Sequence, residues 1–154
     1  MLKYIGYAIW AAAAGALIPV MAVLNARLGR TLGEAMHAPI VLFAVGLTTA
    51  VIIGLLSTGR LPNFSLLAQS AAIDFSGGLI VVGYVISVTL LAPRFGVGNA
   101  ILFVMTAQVI TSAAIDHYGL FGVIARPVGG VRMLGLVVML AGLFIAQLAQ
   151  SKSE

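Results

Sequence analysis

Five long stretches of this sequence contain no charged residue, and they constrain its fold more than any motif does. They cover residues 4–26, 35–59, 75–93, 95–115 and 133–151, and each contains at least 19 residues. About 20 apolar residues at ~1.5 Å rise per residue cross a ~30 Å hydrocarbon core as an α-helix. The sequence therefore predicts a polytopic membrane protein.

The composition excludes several other classes of protein. Charged residues make up 8% of the chain and hydrophobic residues 62%, whereas a soluble domain carries charge on about a quarter of its residues. The formal net charge is +4, but the basic residues stand singly at the ends of apolar runs. That pattern is typical of membrane-interface anchors and not of a nucleic-acid-binding surface. Cysteine is absent, which excludes disulfides and thiolate metal sites.

The apolar runs predict an all-α fold. They are continuous, whereas the strands of a membrane β-barrel alternate over segments of about 10 residues. We expect one five-helix transmembrane domain over residues 1–154, and its predicted spans are 4–24, 39–56, 73–91, 99–115 and 131–148.

The sequence leaves the start of the third span open and predicts where that span ends. Residues 65–72 either lie along the membrane interface or extend the third span backwards. Pro93 and the residues up to Gly96 are predicted to close that span.

Prolines and glycines predict where the spans bend. Pro19 lies inside the first span, where it removes a backbone donor and clashes with the carbonyl of Gly15, so we expect a kink. Pro39 suits the first turn of the second span. Gly77 and Gly78 are candidate hinge residues in the third span.

The basic residues are shared equally between the two membrane faces, so the positive-inside rule gives no orientation. Either eight residues are too few for the rule, or copies insert both ways and pair antiparallel. Five short helices are too few to enclose a substrate path alone. We therefore expect an antiparallel ten-helix homodimer with inverted repeats. One face carries Lys3, Arg60, Arg126 and Arg132, and the other carries Arg27, Arg30, Arg94 and Lys152.

One face of the fifth span is the predicted dimer surface. Small residues on it allow two helix backbones to approach closely. The residues are Gly135, Met139, Gly142 and Ala146.

Short motifs in all of the first four spans resemble the YdcZ-like family, a five-helix branch of the drug/metabolite transporter superfamily. They follow in the family's order and cover nearly the whole chain. The motifs are residues 15–19 and 24–29, residues 43–46, the pair Gly77 and Gly78 with Gly83 and Tyr84, and Gln108 followed by residues 115–119.

The resemblance implies a half-sized transporter that acts as an inverted dimer, a multi-pass protein of the bacterial inner (cytoplasmic) membrane. Two departures concern the substrate path. Met21 stands where the family often has glutamine, and the aromatic residue usual before the glycine pair of span three is at best Phe75. Substrate specificity therefore does not carry over.

Ionisable residues are missing from the middle of every span, although such groups usually mark proton or cation pathways. Small multidrug-resistance transporters of the same superfamily hold a carboxylate in span one, where this chain has residues 11–15. Asp74 either lies at the interface, stabilised by the positive start of a helix, or faces a cavity as a coupling group. There is no constellation for catalysis, metal binding or a cofactor, so we expect no enzyme.

Neutral polar and aromatic residues are therefore the predicted substrate-binding groups. Most of them also have a structural alternative: Trp10 as an interfacial anchor, and Gln, Ser and Thr as contacts between helices. Asn25 either caps span one or orients the loop that carries Arg27 and Arg30. The candidates are Trp10, Asn25, Tyr84, Ser87, Gln108, Thr111 and Ser112.

Asp116 and His117 end the fourth span and are candidates for coupling or gating. The alternative is a structural ion pair of Asp116 with a loop arginine such as Arg126 or with an arginine of the partner chain.

The sequence thus predicts a transporter of small organic solutes that works by alternating access in the lipid bilayer. A dual-topology channel and a nontransporting membrane scaffold are the alternatives.

Overall fold

A computed structural model describes residues 2–150 of the chain, and the side chains of residues 4–146, 148 and 149. Lys152 and the rest of the polar C-terminal tail lie outside the described residues. The predicted all-helical fold is confirmed. The five α-helices are α1 (Leu2–Thr31), α2 (His37–Thr58), α3 (Ser76–Phe95), α4 (Val97–Tyr118) and α5 (Gly130–Gln150).

Four of these helices are long and apolar enough to cross a membrane. They are α1, α2, α4, and α3 together with the short turn before it, Ala72–Phe95. The apolar part of α5, Gly130–Ala146, is shorter. α1 and α2 extend beyond the predicted spans at both ends, since polar and charged residues near the interface continue the helical backbone.

Glycines with positive φ follow the last residues of α2 and α3. Gly59 adopts φ 70° after α2 and donates its N–H to the carbonyl of Leu55 at 2.8 Å, the left-handed ending that glycine allows without steric cost. The observed end of α3 lies within the segment predicted to close the third span, Pro93 to Gly96. The helix continues through Pro93 to Phe95, four residues beyond the predicted span, and ends at Gly96, with φ 85°.

The segment before α3 is not a backward extension of that helix. It forms two short 3₁₀ segments, Phe64–Gln69 and Ala72–Phe75. Asn63 begins the first one, because its Oδ1 accepts hydrogen bonds from the backbone N–H and the hydroxyl of Ser65 at 3.2 and 2.7 Å.

The chain divides into two compact units, and the first contains α1, α2 and α3 and ends at Val97. Its buried residues lie in the C-terminal halves of α1 and α3 and in the first turn of α2. There the backbones are close: a Cβ added to Gly29 would lie 2.9 Å from the Cα of Ala35. Small residues allow this packing, among them Ala22, Ala38 and Ala92.

The other end of the first unit is not covered by the chain. All described residues of α1 from 4 to 17, of α2 from 44 to 53 and of α3 from 77 to 83 are exposed. These are the N-terminal halves of α1 and α3 and the middle and C-terminal half of α2. The first unit therefore has one packed end and one uncovered end.

The second unit contains α4, α5 and the loop that joins them. Gly119 begins the loop with φ 62°, and a Cβ there would lie 3.0 Å from the carbonyl oxygen of Val123 and 3.1 Å from the Cβ of Ala125. Backbone conformation and space both require glycine at this position.

Candidate functional site

Two buried polar atoms in the first unit have no hydrogen-bond partner among the described residues. One is the Nδ2 of Asn25 on α1, whose side chain is 4% exposed, and the other is the hydroxyl of Tyr84 on α3. A buried donor without a partner costs about 1–3 kcal/mol. Asn25 lies in the middle of the last three turns of α1 and not at its end, so it does not cap the helix.

The other two candidates of the first unit are exposed. Ser87, one turn after Tyr84, donates its hydroxyl to the carbonyl of Gly83 in its own helix at 2.8 Å. Trp10 is 76% exposed, in the uncovered half of α1. The structure thus does not gather Trp10 with the buried pair.

The three candidates on α4 share one exposed face of the helix. Gln108 and Thr111 are exposed, and Ser112, also exposed, donates its hydroxyl to the carbonyl of Val109 at 2.9 Å. Gln108 lies about 160° around the helix from the buried Thr106. It is also 10 residues from one end of α4 and 11 from the other, so it occupies the middle of the span.

Polar contacts tie the end of α4 to the start of α5. Asp116 Oδ2 accepts a hydrogen bond from Arg132 Nη2 at 2.9 Å, and both side chains are partly exposed. His117 Nδ1 accepts from the backbone N–H of Val128 at 3.1 Å. Arg126 reaches Asp116 only through the backbone, where its N–H donates to the Asp116 carbonyl at 2.6 Å. The arginine that pairs with Asp116 is therefore Arg132 and not Arg126.

Asp74 lies two residues before α3 and bonds to the backbone. Its Oδ2 accepts from the N–H of Ala71 at 3.0 Å, and its own N–H donates to the Ala71 carbonyl at 2.9 Å. This is the geometry of a carboxylate at the start of a helix, and it favours the interfacial interpretation of Asp74 over a position deep in the span.

The predicted hinge and dimer residues occupy regular helix. Pro19 lies inside the continuous α1, and Gly77 and Gly78 lie in the first turn of α3. Gly135 and Gly142 are exposed, and a Cβ added to either would meet no atom within 4 Å. Met139 and Ala146, on the same side of α5, are half-buried.

A small pocket lies at the packed end of the first unit. Its volume is about 250 Å³, and Arg30 and Arg94 from the last turns of α1 and α3 line it together with the small residues Gly29 and Ala35. Basic residues in the last turn of a helix complement its dipole, which is a structural reason for an arginine at each of these positions.

A larger groove runs along α2, and no motif in the sequence indicates it. Its volume is about 710 Å³. One side is a face of α2 with the spacing i, i+3, i+4, i+7, and the other is the connection to the first 3₁₀ segment. The lining residues are Leu47, Ala50, Val51, Gly54, Leu55, Thr58, Arg60, Leu61, Pro62, Asn63 and Leu66.

Comparison with known proteins decides the family. The family model described as "Putative inner membrane exporter, YdcZ" matches residues 6–145. The chain belongs to the YdcZ family. This membership and the apolar helices support a multi-pass inner-membrane transporter rather than an enzyme. No curated protein and no solved structure matches the chain.

The structure gives physical reasons for two glycines in the motifs that resemble the YdcZ family. Gly29, in the motif over residues 24–29, allows the contact with the backbone of Ala35. Gly119, in the motif over residues 115–119, adopts the left-handed conformation that begins the loop.

Proposed function

We propose that this YdcZ-family protein transports small organic solutes by alternating access, as a homodimer of two oppositely inserted copies. The exposed polar face of α4 is the observation that carries the proposal. A glutamine in the middle of a spanning helix has no water to bond with in hydrocarbon, where an unsatisfied polar group costs several kcal/mol. Gln108 therefore requires a second protein surface or a hydrated cavity.

Antiparallel pairing of two copies would supply both a second protein surface and a hydrated cavity for Gln108. A two-fold axis in the membrane plane brings the midpoints of equivalent helices to the same depth. Gln108 lies at the midpoint of α4, so the two copies would present Gln108 at one level of the bilayer, with Thr111 and Ser112 about 5–6 Å above it in one copy and below it in the other. Solute sites near the midplane at the interface of inverted repeats are a recurring transporter arrangement.

The first unit offers hydrogen-bond donors of its own. The Nδ2 of Asn25 and the hydroxyl of Tyr84 are buried without partners among the described residues, which leaves both available to a polar solute or to water. Neither group carries a charge at neutral pH. The proposed solute is therefore a neutral or weakly polar organic molecule held by hydrogen bonds.

The proposed alternating movement takes place at the uncovered end of the first unit. The N-terminal halves of α1 and α3 contact little of the chain. Pro19 stands where a bend would swing the N-terminal half of α1, and Gly77 and Gly78, in the first turn of α3, stand where a bend would move the segment before that helix. In an inverted pair, one copy's uncovered end faces each side of the membrane. Alternating opening of the two ends would expose the midplane site to each side in turn.

Engineered cysteines on α5 test the antiparallel pairing, because the native chain has no cysteine. In an antiparallel contact centred between Leu140 and Ala141, Gly135 of one copy faces Ala146 of the other. Gly135→Cys and Ala146→Cys chains should cross-link when mixed, and neither should cross-link to itself, since equivalent positions would be about 16 Å apart along the axis. Self-cross-linking of both variants without mixed product would contradict the antiparallel dimer.

A packing variant tests whether the same face holds the dimer. Gly142→Ile should reduce the dimer fraction and leave the fold of each copy intact, because the added side chain meets open space within the chain. Ala141→Ile is the matched control, since it adds similar bulk about 100° around α5 from Gly142. Equal dimer loss in both variants would show that this face is not the interface.

Flux into proteoliposomes tests the transport step itself. Slow, saturable exchange that falls with Gln108→Leu and Asn25→Leu supports the proposal. Fast conductance without saturation would indicate the channel, and the absence of flux across a broad panel of organic solutes would indicate the scaffold.

A further inference from the structure

The groove along α2 has the size and lining of a ligand site. Its volume of about 710 Å³ falls within the range of about 300–1,000 Å³ that small-molecule sites occupy. Apolar side chains of α2 form its floor, among them Leu47, Val51 and Leu55. The only charged residue in the lining is Arg60, at the end where α2 stops.

The length of the groove corresponds to one leaflet of a bilayer. From Leu47 to Thr58 the floor covers 11 residue steps, about 16 Å at ~1.5 Å each and about half of a ~30 Å hydrocarbon core. Leu47 lies near the middle of α2, and Arg60 follows its end. The groove thus runs from the middle of the membrane to its surface.

Two polar groups at the mouth, Arg60 and the side-chain amide of Asn63, are free to donate. Arg60 has no carboxylate within 4.0 Å in the described part of the chain. Asn63 uses its Oδ1 to accept from Ser65, which leaves its Nδ2 as a donor. The hydroxyl of Thr58 is already engaged with the carbonyls of Gly54 and Arg60, at 2.8 and 2.9 Å. An anionic head group therefore matches the mouth of the groove.

The groove is open because one of the residues that line it has no side chain. Gly54 lines it, and a Cβ added there would meet no atom within 4 Å. The connection that forms the opposite wall is held by Pro62 and by the bonds of Asn63 to Ser65. The groove is therefore bounded by the backbone of α2 and of the connection as well as by side chains.

We propose that this groove binds one acyl chain of an anionic amphiphile, with the tail along α2 and the head group at Arg60 and Asn63. The shared chemistry is a long acyl tail with a carboxylate or phosphate head. Its source is either a free fatty acid or a phospholipid with one chain in the groove. The site lies within the first unit, so it does not depend on the proposed dimer.

Spin-labelled probes test the proposal on the full chain in phosphatidylcholine nanodiscs. Labelled stearate and labelled lysophosphatidylglycerol are compared with labelled lysophosphatidylcholine. We expect a saturable, motionally restricted component for at least one anionic probe and a weaker one for the zwitterionic probe. Restriction of stearate alone identifies a fatty acid as the source, and restriction of lysophosphatidylglycerol identifies a phospholipid.

Matched variants separate groove binding from general lipid contact. Gly54→Phe fills the groove and should abolish the saturable component, whereas Gly46→Phe adds the same ring to an open glycine of α2 outside the lining. Arg60→Gln should weaken binding about fivefold, the size of a partly exposed charge contact. Ala50→Phe is a second filling variant if Gly54→Phe does not fold.

Three results would overturn the proposal: equal restriction of the anionic and zwitterionic probes, equal loss in Gly46→Phe and Gly54→Phe, or no effect of Arg60→Gln. A change in dimer fraction with Gly54→Phe at unchanged probe binding would instead assign the groove to a second copy.

Discussion

The two units of the molecule hold their helices together by different means. In the first unit, small residues bring α1, α2 and α3 into contact at one end, where Gly29 touches the backbone of Ala35. In the second unit, polar contacts of Asp116 and His117 join the ends of α4 and α5 through the loop. An atom added to a close-packed contact lowers the free energy of unfolding strongly, whereas each exposed polar contact contributes little to it. The two units should therefore differ strongly in their sensitivity to mutation.

The largest effect is expected at the close contact in the first unit. Gly29→Val should lower the free energy of unfolding in mixed micelles by roughly 2–3 kcal/mol, because its Cβ would lie 2.9 Å from backbone. Gly15→Val on the same helix meets open space and is the control. Equal stability of the two variants would break the contrast between the packed and uncovered ends of α1.

The loop of the second unit should be sensitive at one glycine. Gly119→Ala should cost about 1–2 kcal/mol, since alanine is strained at φ 62° and would also crowd Val123 and Ala125. Gly122→Ala has a similar φ of 79° but open space, so it should cost less. Thermal unfolding of both variants measures the difference, and a larger loss in Gly122→Ala would contradict the described loop.

The buried amide of Asn25 should affect stability and transport in opposite directions. Asn25→Leu removes an unpartnered buried donor, so we expect stability to rise by up to about 1 kcal/mol while solute flux is lost. Unfolding in micelles and flux into proteoliposomes are measured on the same preparation. A fall in stability of more than about 1 kcal/mol would show that Asn25 has a structural partner, and would remove it from the proposed solute site.

The smallest effect is expected for the ion pair of the second unit. A double-mutant cycle of Asp116→Asn with Arg132→Gln should give a coupling energy of at most about 1 kcal/mol that falls with added salt, because both groups are partly exposed. The parallel cycle with Arg126→Gln should give none. Coupling to Arg126 instead would contradict the described geometry.

Charge-free runs were sufficient to predict an all-helical membrane protein, because hydrocarbon permits few other folds for such runs. Helix ends were less predictable, since Pro93 fits a last turn as well as a break. The partner of Asp116 depends on the path of the loop, and spacing along the chain does not determine that path.

The groove along α2 was missed for a similar reason. Its floor follows the helical period, but its other wall depends on the 3₁₀ segment Phe64–Gln69, whose sequence was equally compatible with a longer α3. The exposed position of Gln108 was also unpredictable, because composition does not tell which face of α4 the chain covers.

Orientation in the membrane tests the central claim most directly. Reporters that are active on only one side of the inner membrane are fused to the C-terminus, one specific to each side, and expressed at low level. Two oppositely inserted copies predict comparable activity of both reporters, and Arg94→Gln or Arg60→Gln should shift the ratio in opposite directions. Activity of a single reporter would contradict the inverted homodimer.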